Sequence, residues 1–158
     1  MTAHRVDPRS AAPSWRRIFV EELGALAPDF GAPRSIARVL GWMVVCELPE
    51  QSAKDIQTGL ALSAGSVSAA TRLLVGRGMM ERVAHPGDRH IYYKLPVAGW
   101  ERAIEMRLRT LMRLRNVADR ALLAAGGEAD HRLRDMSDVY SSLEEHIEAV
   151  LAKRRAER

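Results

Sequence analysis

Cysteine occurs once in the chain's 158 residues, at Cys46, which excludes an internal disulfide framework and fits a reducing compartment. No stretch approaches the roughly 18 uninterrupted apolar residues that a membrane-spanning helix needs. Residues 1–13 lack the apolar run of a secretory signal. A cytoplasmic protein with no membrane contact is expected. Aromatic residues make up only 5% of the chain, while Ala, Leu and Arg are frequent, so a mainly helical protein is predicted.

Catalytic and metal-binding signatures are also missing. The five histidines (His4, His85, His90, His131, His146) never fall three or four residues apart, the spacing that would put two ligands on one helix face. Glu144, Glu145 and Glu148 flank His146, but a helix with an apolar seam ordinarily carries charge on its other face. With no activated nucleophile and no glycine-rich phosphate loop, neither an enzyme nor a metal or other cofactor is predicted.

Length and charge then narrow the class. The chain is long enough for one reading module plus a helical arm, and short for two independent cores. Its net charge of +4 is unevenly placed: residues 1–51 carry six bases and six acids, 52–95 six and three, and 96–158 twelve and eleven. The positive excess sits mainly in the middle, which makes a polyanion a plausible partner there.

Residues 1–13 show no apolar period and read as a loose arm. Trp15, Ile18, Phe19, Leu23 and Leu26 recur at helical steps, predicting a helix over 14–27 that stops before Pro28. A second helix, from Pro33 or Ser35 to Pro49, carries Ile36, Val39, Leu40, Met43 and Val44. Ser52 and Asp55 resemble a capping box opening a short helix to about Gly59. After a tight turn, Ser63 can cap a further helix through Val67, Ala70, Leu74 and Val75 to Gly78.

The period then falls to two around Pro86-Gly87-Asp88-Arg89, which predicts a β-hairpin. A long helix over 97–125, a break at Gly126-Gly127 and a last helix over 128–155 complete the chain. In the last helix Ala129, Leu133, Met136, Tyr140, Leu143, Ile147 and Val150 form a heptad seam that asks for another helix. The seam suits a subunit interface; an ordinary core stripe is the alternative.

Helix, turn, helix, hairpin is the order of a winged helix-turn-helix. Small residues Ala64, Gly65 and Ser66 behind Ser63 let the N-terminal N–H groups of the second helix approach a phosphate. With Val67, Ala70, Thr71 and Leu74 facing inward, Ser66, Ser68, Ala69 and Arg72 face out. Arg72 has the donors for guanine O6 and N7, Ser68 reaches a neighbouring base and the Ala69 methyl suits thymine. At the hairpin tip, Arg89 and His90 project toward a minor groove or its phosphates, with Asp88 placed to orient Arg89. A solvated helix face and a turn arginine in water are the alternatives.

The run from Leu62-Ser63-Ala64-Gly65-Ser66-Val67-Ser68 to Gly78, followed by Arg82-Val83 and Pro86-Gly87-Asp88-Arg89-His90-Ile91-Tyr92-Tyr93, resembles the MarR family, particularly its GbsR-like branch. Residues 31–38 (GAPRSIAR) and the segment up to Leu48-Pro49 resemble that branch too, and the likeness spans about residues 17–125. It implies a mainly α fold with a small β-hairpin wing: a winged helix-turn-helix over 33–96 and a helical dimerisation region over 14–32 and 97–158. It also implies a homodimer whose first and last helices interlock, at Trp15, Phe19, Leu133, Met136, Tyr140, Leu143, Ile147 and Val150. Such a dimer binds double-stranded DNA at an inverted-repeat operator, usually as a repressor, and many members release DNA when a small effector binds. The helix-and-wing motif carries over to Ser66, Ser68, Arg72 and Arg89. Related sequences often have lysine where this chain has Ala64, which leaves one expected phosphate contact without support.

Trp42, Met43, Trp100, Ile104 and Met106 are candidates to line an effector pocket, although apolar groups at helical spacing need no ligand to explain them. Cys46, in the apolar run Met43-Val44-Val45-Cys46 of the second helix, is read as buried core rather than as a redox switch. Arg102, Arg109, Arg113 and Arg120 read as a solvated face. The rival function is a winged-helix interaction or structural module that reads no base sequence, against which the polar, Arg72-bearing helix argues.

Overall fold

The described residues are 14–125 and 131–157 of a computed structural model, in which the chain divides after Gly99 into two units. The first opens with helix α1 (Ser14–Leu26), a 3-10 turn (Ala27–Phe30) and helix α2 (Arg34–Val45). Gly31, with φ of 65°, closes the 3-10 turn in the left-handed region that glycine adopts without steric cost. Extended Pro33 then sets the start of α2. Strand β1 (Gln51–Ser52), helices α3 (Ala53–Leu60) and α4 (Ala64–Gly76), and strands β2 (Glu81–Ala84) and β3 (Ile91–Lys94) complete the unit.

Two expectations are corrected here. Helix α2 ends at Val45 rather than running to Pro49, so Cys46 lies just past it in extended backbone. Its thiol is half-buried and donates to the Leu48 carbonyl at 3.2 Å. Burial pushes that thiol up, which keeps it protonated and unreactive. The hairpin gains a third strand, the sheet order being β1-β3-β2 with Gln51 opposite Tyr93 and Ser52 opposite Tyr92. Gln51 is buried there with its amide satisfied, accepting from Trp42 Nε1 at 3.2 Å and donating to Leu48 O at 3.1 Å.

Val39 from α2, Ile56 from α3, Val67, Ala70 and Leu74 from α4, and Met80 before β2 form the core of this unit, joined by Val20 of α1. The capping box forms: Ser52 Oγ accepts from the Asp55 N–H, and the Asp55 carboxylate accepts from the Ser52 N–H at 2.9 Å. The axes of α3 and α4 are bent by 119°, within the range of helix-turn-helix pairs. Ala61, which closes α3, is the one non-glycine residue with positive φ (50°) among the described residues.

Gly59, placed near the end of α3 by the sequence, has a packing role. A Cβ there would lie 2.4 Å from Cζ2 of Trp42, whose ring is held by its bond to Gln51. Gly59→Ala is expected to lower stability although alanine is the better helix former by about 1 kcal/mol, because overpacking costs about 1–3 kcal/mol. Thermal unfolding checks this; an unchanged or raised midpoint would show that Trp42 swings away freely.

The second unit consists of helices α5 (Gly99–Ala125) and α6 (His131–Ala156), apart from the first residue of α5. The predicted start at Val97 shifts to Gly99, whose N–H donates to Pro96 O at 3.0 Å. The Gly126-Gly127 break, Ala129 and the predicted start of the last helix at Glu128 lie outside the described residues. Leu108 and Ala118 of α5 and Ser137 and Leu151 of α6 are buried. The helices run antiparallel: Ser137 donates to Asp119, Arg115 pairs with Asp119 and Glu144, and Arg155 reaches Glu105 at 2.6 Å. Arg102, Arg109, Arg113 and Arg120 are all exposed. Among the described residues no single helix is long and apolar enough to cross a membrane.

Candidate nucleic-acid interface

Helix α4 is built to present one polar face. Ser63 caps it in extended backbone, its Oγ accepting from the Ser66 N–H at 3.1 Å and sharing a hydrogen bond with the Ser66 hydroxyl at 2.8 Å. Val67, Ala70, Thr71 and Leu74 are buried, the stripe that the spacing predicts. Thr71 satisfies its buried hydroxyl by donating to Ser68 O at 3.2 Å. On the opposite side Ser68, Ala69 and Arg72 are exposed, and Arg72 Nη2 donates to Ser68 Oγ at 3.3 Å. Ser66 is only half-exposed and its hydroxyl is already engaged, which makes it part of the cap as well as a face residue.

The first turn of α4 is open. Ala64 and Gly65 are exposed, and a Cβ at Gly65 would meet nothing nearer than Ser63 Oγ at 4.0 Å. A phosphate has room to approach these N–H groups, where the helix dipole favours an anion.

The wing is held by a chain of side chains. Glu50 and His85 pair at 2.7 Å, His85 meets the Tyr92 ring edge-on with centroids 5.2 Å apart, and the Tyr92 hydroxyl donates to Asp88 at 2.9 Å. Asp88 also accepts from the His90 N–H at 2.9 Å and contacts His90 Nδ1 at 2.7 Å. These bonds, led by the one from the His90 backbone, hold the Asp88 carboxyl down to about 2. The same contact with Asp88 raises the Tyr92 phenol. The expectation that Asp88 orients Arg89 directly is corrected: its carboxylate binds His90 and Tyr92, fixing the backbone on either side. Arg89 itself is exposed and has no partner among the described residues.

A depressed folded-state pKa means that Asp88 stabilises the folded wing above the ordinary carboxylate range, and this is lost as pH falls through about 2. Carboxyl-carbon NMR is expected to give a midpoint near 2 for Asp88, moving up toward the ordinary value of 3.8 in Tyr92→Phe. A wild-type midpoint at the ordinary value would show that the hydrogen bonds do not persist in solution.

The other candidates scatter. Trp42 and Met43 belong to the first unit and Trp100 and Ile104 to the second. Met43 is buried in the core, Trp42 is half-buried, and Trp100 and Ile104 are 51% and 44% exposed. Of the seam, Leu133, Met136, Tyr140 and Ile147 are half-buried while Leu143 and Val150 are exposed; on α1, Trp15 and Phe19 are exposed. Among the described residues no group of three or more His, Cys, Asp or Glu could hold a metal ion.

One cluster had little sequence signal. Glu21 of α1 accepts from Arg34 at 2.7 Å and from Arg38 Nε at 2.9 Å, and Arg38 Nη2 also donates to Leu60 O at 3.1 Å. Burial alone would push Glu21 up, but the two guanidiniums outweigh it and hold the carboxyl below its usual range. The i, i+4 spacing of Arg34 and Arg38 was the only hint.

Residues 98–157 match the family of MmpR5-like MarR family transcriptional regulators. The HTH-type transcriptional regulator MmpR5 of Mycobacterium tuberculosis (strain ATCC 25618 / H37Rv) is 32% identical over 151 residues, covering 94% of this chain and 91% of that protein. A transcriptional regulator of known crystal structure is 33% identical, with a TM-score of 0.70 over 90% of this chain and 99% of that one. With that identity along nearly its whole length, and with a capped helix-turn-helix followed by a wing, the chain belongs to the MarR family of DNA-binding transcriptional regulators.

Proposed function

We propose that the chain is a cytoplasmic repressor that binds an inverted-repeat operator as a homodimer. The observation that carries this reading is the combination on one unit of an exposed Ser68–Arg72 face on α4 with an arginine, Arg89, that has no partner among the described residues, at a braced wing tip. Ser63, Ala64, Gly65 and Ser66 receive a phosphate, while Ser68, Ala69 and Arg72 read base edges in the major groove. Arg89, with His90 beside it, holds the flank.

Residues 33–96 are the reading head, and residues 14–32 and 97–158 supply the dimer arm. In support, Trp15 and Phe19 are 56% and 37% exposed and Val150 is 60% exposed, apolar surface that a second copy would cover. Release of DNA by a small effector belongs to the same reading. Placement in the GbsR-like branch rests on the runs from Leu62 to Gly78 and from Arg82 to Tyr93, together with residues 31–38 and the segment to Pro49.

Two measurements test this. Selection from fragmented genomic DNA against competitor should recover a few sites sharing an inverted repeat; recovery without shared sequence would leave an interaction or structural module instead. Sedimentation at micromolar concentration should give a dimer. A stable monomer that still binds its site tightly would defeat the interlocked arm.

A further inference from the structure

Helix α2 grips the last turn of α3 at two consecutive residues. The Trp42 ring lies against Gly59, and Arg38, one turn earlier on α2, donates through Nη2 to Leu60 O at 3.1 Å. Leu60 is the final residue of α3, where the helix dipole favours a cation at the carbonyl.

Arg38 is itself held from α1. Its Nε donates to Glu21 Oε1 at 2.9 Å, and its side chain is only 20% exposed. Gly24, one turn after Glu21, leaves room for the stem: a Cβ there would stand 2.6 Å from Arg38 Cγ and 3.4 Å from Cδ. A guanidinium is a rigid planar fork. With its stem seated on Gly24 and one edge tied to Glu21, the other edge points in one direction, at Leu60 O.

The chain after Leu60 needs such a hold. Ala61 takes the left-handed conformation, which a side chain disfavours. The backbone bonds that close the turn are long, Ala61 N–H to Thr58 O at 3.4 Å and Leu62 N–H to Gln57 O at 3.2 Å. Ser63 then caps α4. Val67, Ala70, Thr71 and Leu74 seat the body of α4 in the core, but Ala64 and Gly65 are exposed and Ser66 is half-exposed. The first turn of α4 therefore leans on its cap and on the turn before it.

We propose that Arg38 is a positioning residue for DNA reading: by bridging Glu21 of α1 and the last carbonyl of α3, it fixes where the first turn of α4 stands, and with it the alignment of Ser68 and Arg72 on base edges. Recognition of this kind needs its groups held within about 0.5 Å. A two-bond contact to a base edge is lost by a small shift, whereas attraction to a phosphate tolerates one. The consequence for base reading rests on α4 being the reading helix; the hold on the turn does not.

Two variants of the whole protein test this on the operator recovered by selection. Arg38→Gln removes the bridge, and Gly24→Ala keeps the guanidinium but displaces its stem. Both are first shown to be folded and in the wild-type oligomeric state. The readout is the ratio of affinity for the operator to affinity for random-sequence competitor. Arg38→Gln is expected to lower that ratio about tenfold, the scale of one charge-assisted hydrogen bond, and Gly24→Ala about threefold. Competitor affinity and its salt slope should stay as in the wild type. Equal loss on both DNAs would make Arg38 merely structural, and a smaller salt slope would make it a direct phosphate contact. Either result overturns the proposal, as does an unchanged ratio in either variant. Hydrogen exchange without DNA reads the hold itself: the Ala61 and Leu62 amides should exchange about tenfold faster in Arg38→Gln, and unchanged protection would overturn it. If those amides respond while Arg72→Ala leaves base preference intact, the failure belongs to α4 as the reading helix and not to the bridge.

Discussion

Ile56→Ala is expected to destabilise the first unit by about 2–5 kcal/mol, the range for removing a large aliphatic side chain from a closed core. Ile56 has no exposed surface and lies in one cluster with residues of α1, α2 and α4, so no neighbour can relax into the gap without disturbing another. This matters for function because α3 supports the turn into α4. Chemical denaturation should show a lower midpoint with a similar slope. A loss below about 1 kcal/mol would mean that the core repacks around the cavity.

Arg72→Ala is expected to cost about 1–3 kcal/mol per half-site on the selected operator and to relax preference at one base position in each half. Its bond to Ser68 on the exposed face argues for this size, since the guanidinium is oriented before DNA arrives. Arg89→Ala should instead weaken all sequences more evenly and reduce the salt slope by about 0.9 for each phosphate that is no longer neutralised. Titration of operator variants at several salt concentrations separates the two. If Arg72→Ala leaves both affinity and base preference intact, α4 is not the reading element and the central proposal falls.

What the sequence disclosed and what it hid follow from the range of each interaction. Ser52 with Asp55, Ser63 with Ser66, and the stripe Val67, Ala70, Thr71 and Leu74 depend on neighbours a few residues away, and all stand where the spacing put them. Strand β1 was hidden because two residues show no period; it exists through pairing with Tyr92 and Tyr93, some forty residues later. Pro49 is a conspicuous stop in the sequence, whereas the chain leaves α2 at Cys46, whose Sγ bonds to Leu48 O. The left-handed turn at Ala61 carries no glycine to announce it, and alanine there costs about 1 kcal/mol that packing around Leu60 must offset. Asp88 beside Arg89 suggested a local ion pair, but Tyr92 and His90 present better-placed donors. The cluster of Glu21, Arg34 and Arg38 was illegible because each residue alone looks like an ordinary surface charge.

The brace from Glu50 through His85 and Tyr92 to Asp88 has a kinetic consequence. A floppy hairpin must be ordered once it has docked, and that ordering cost weakens the complex it forms. Here the tip is shaped when the protein folds, so little backbone freedom remains to be lost when the wing meets a phosphate. Encounter should then proceed at a rate set by diffusion and charge, and removing the brace should leave arrival nearly unchanged while shortening the residence time.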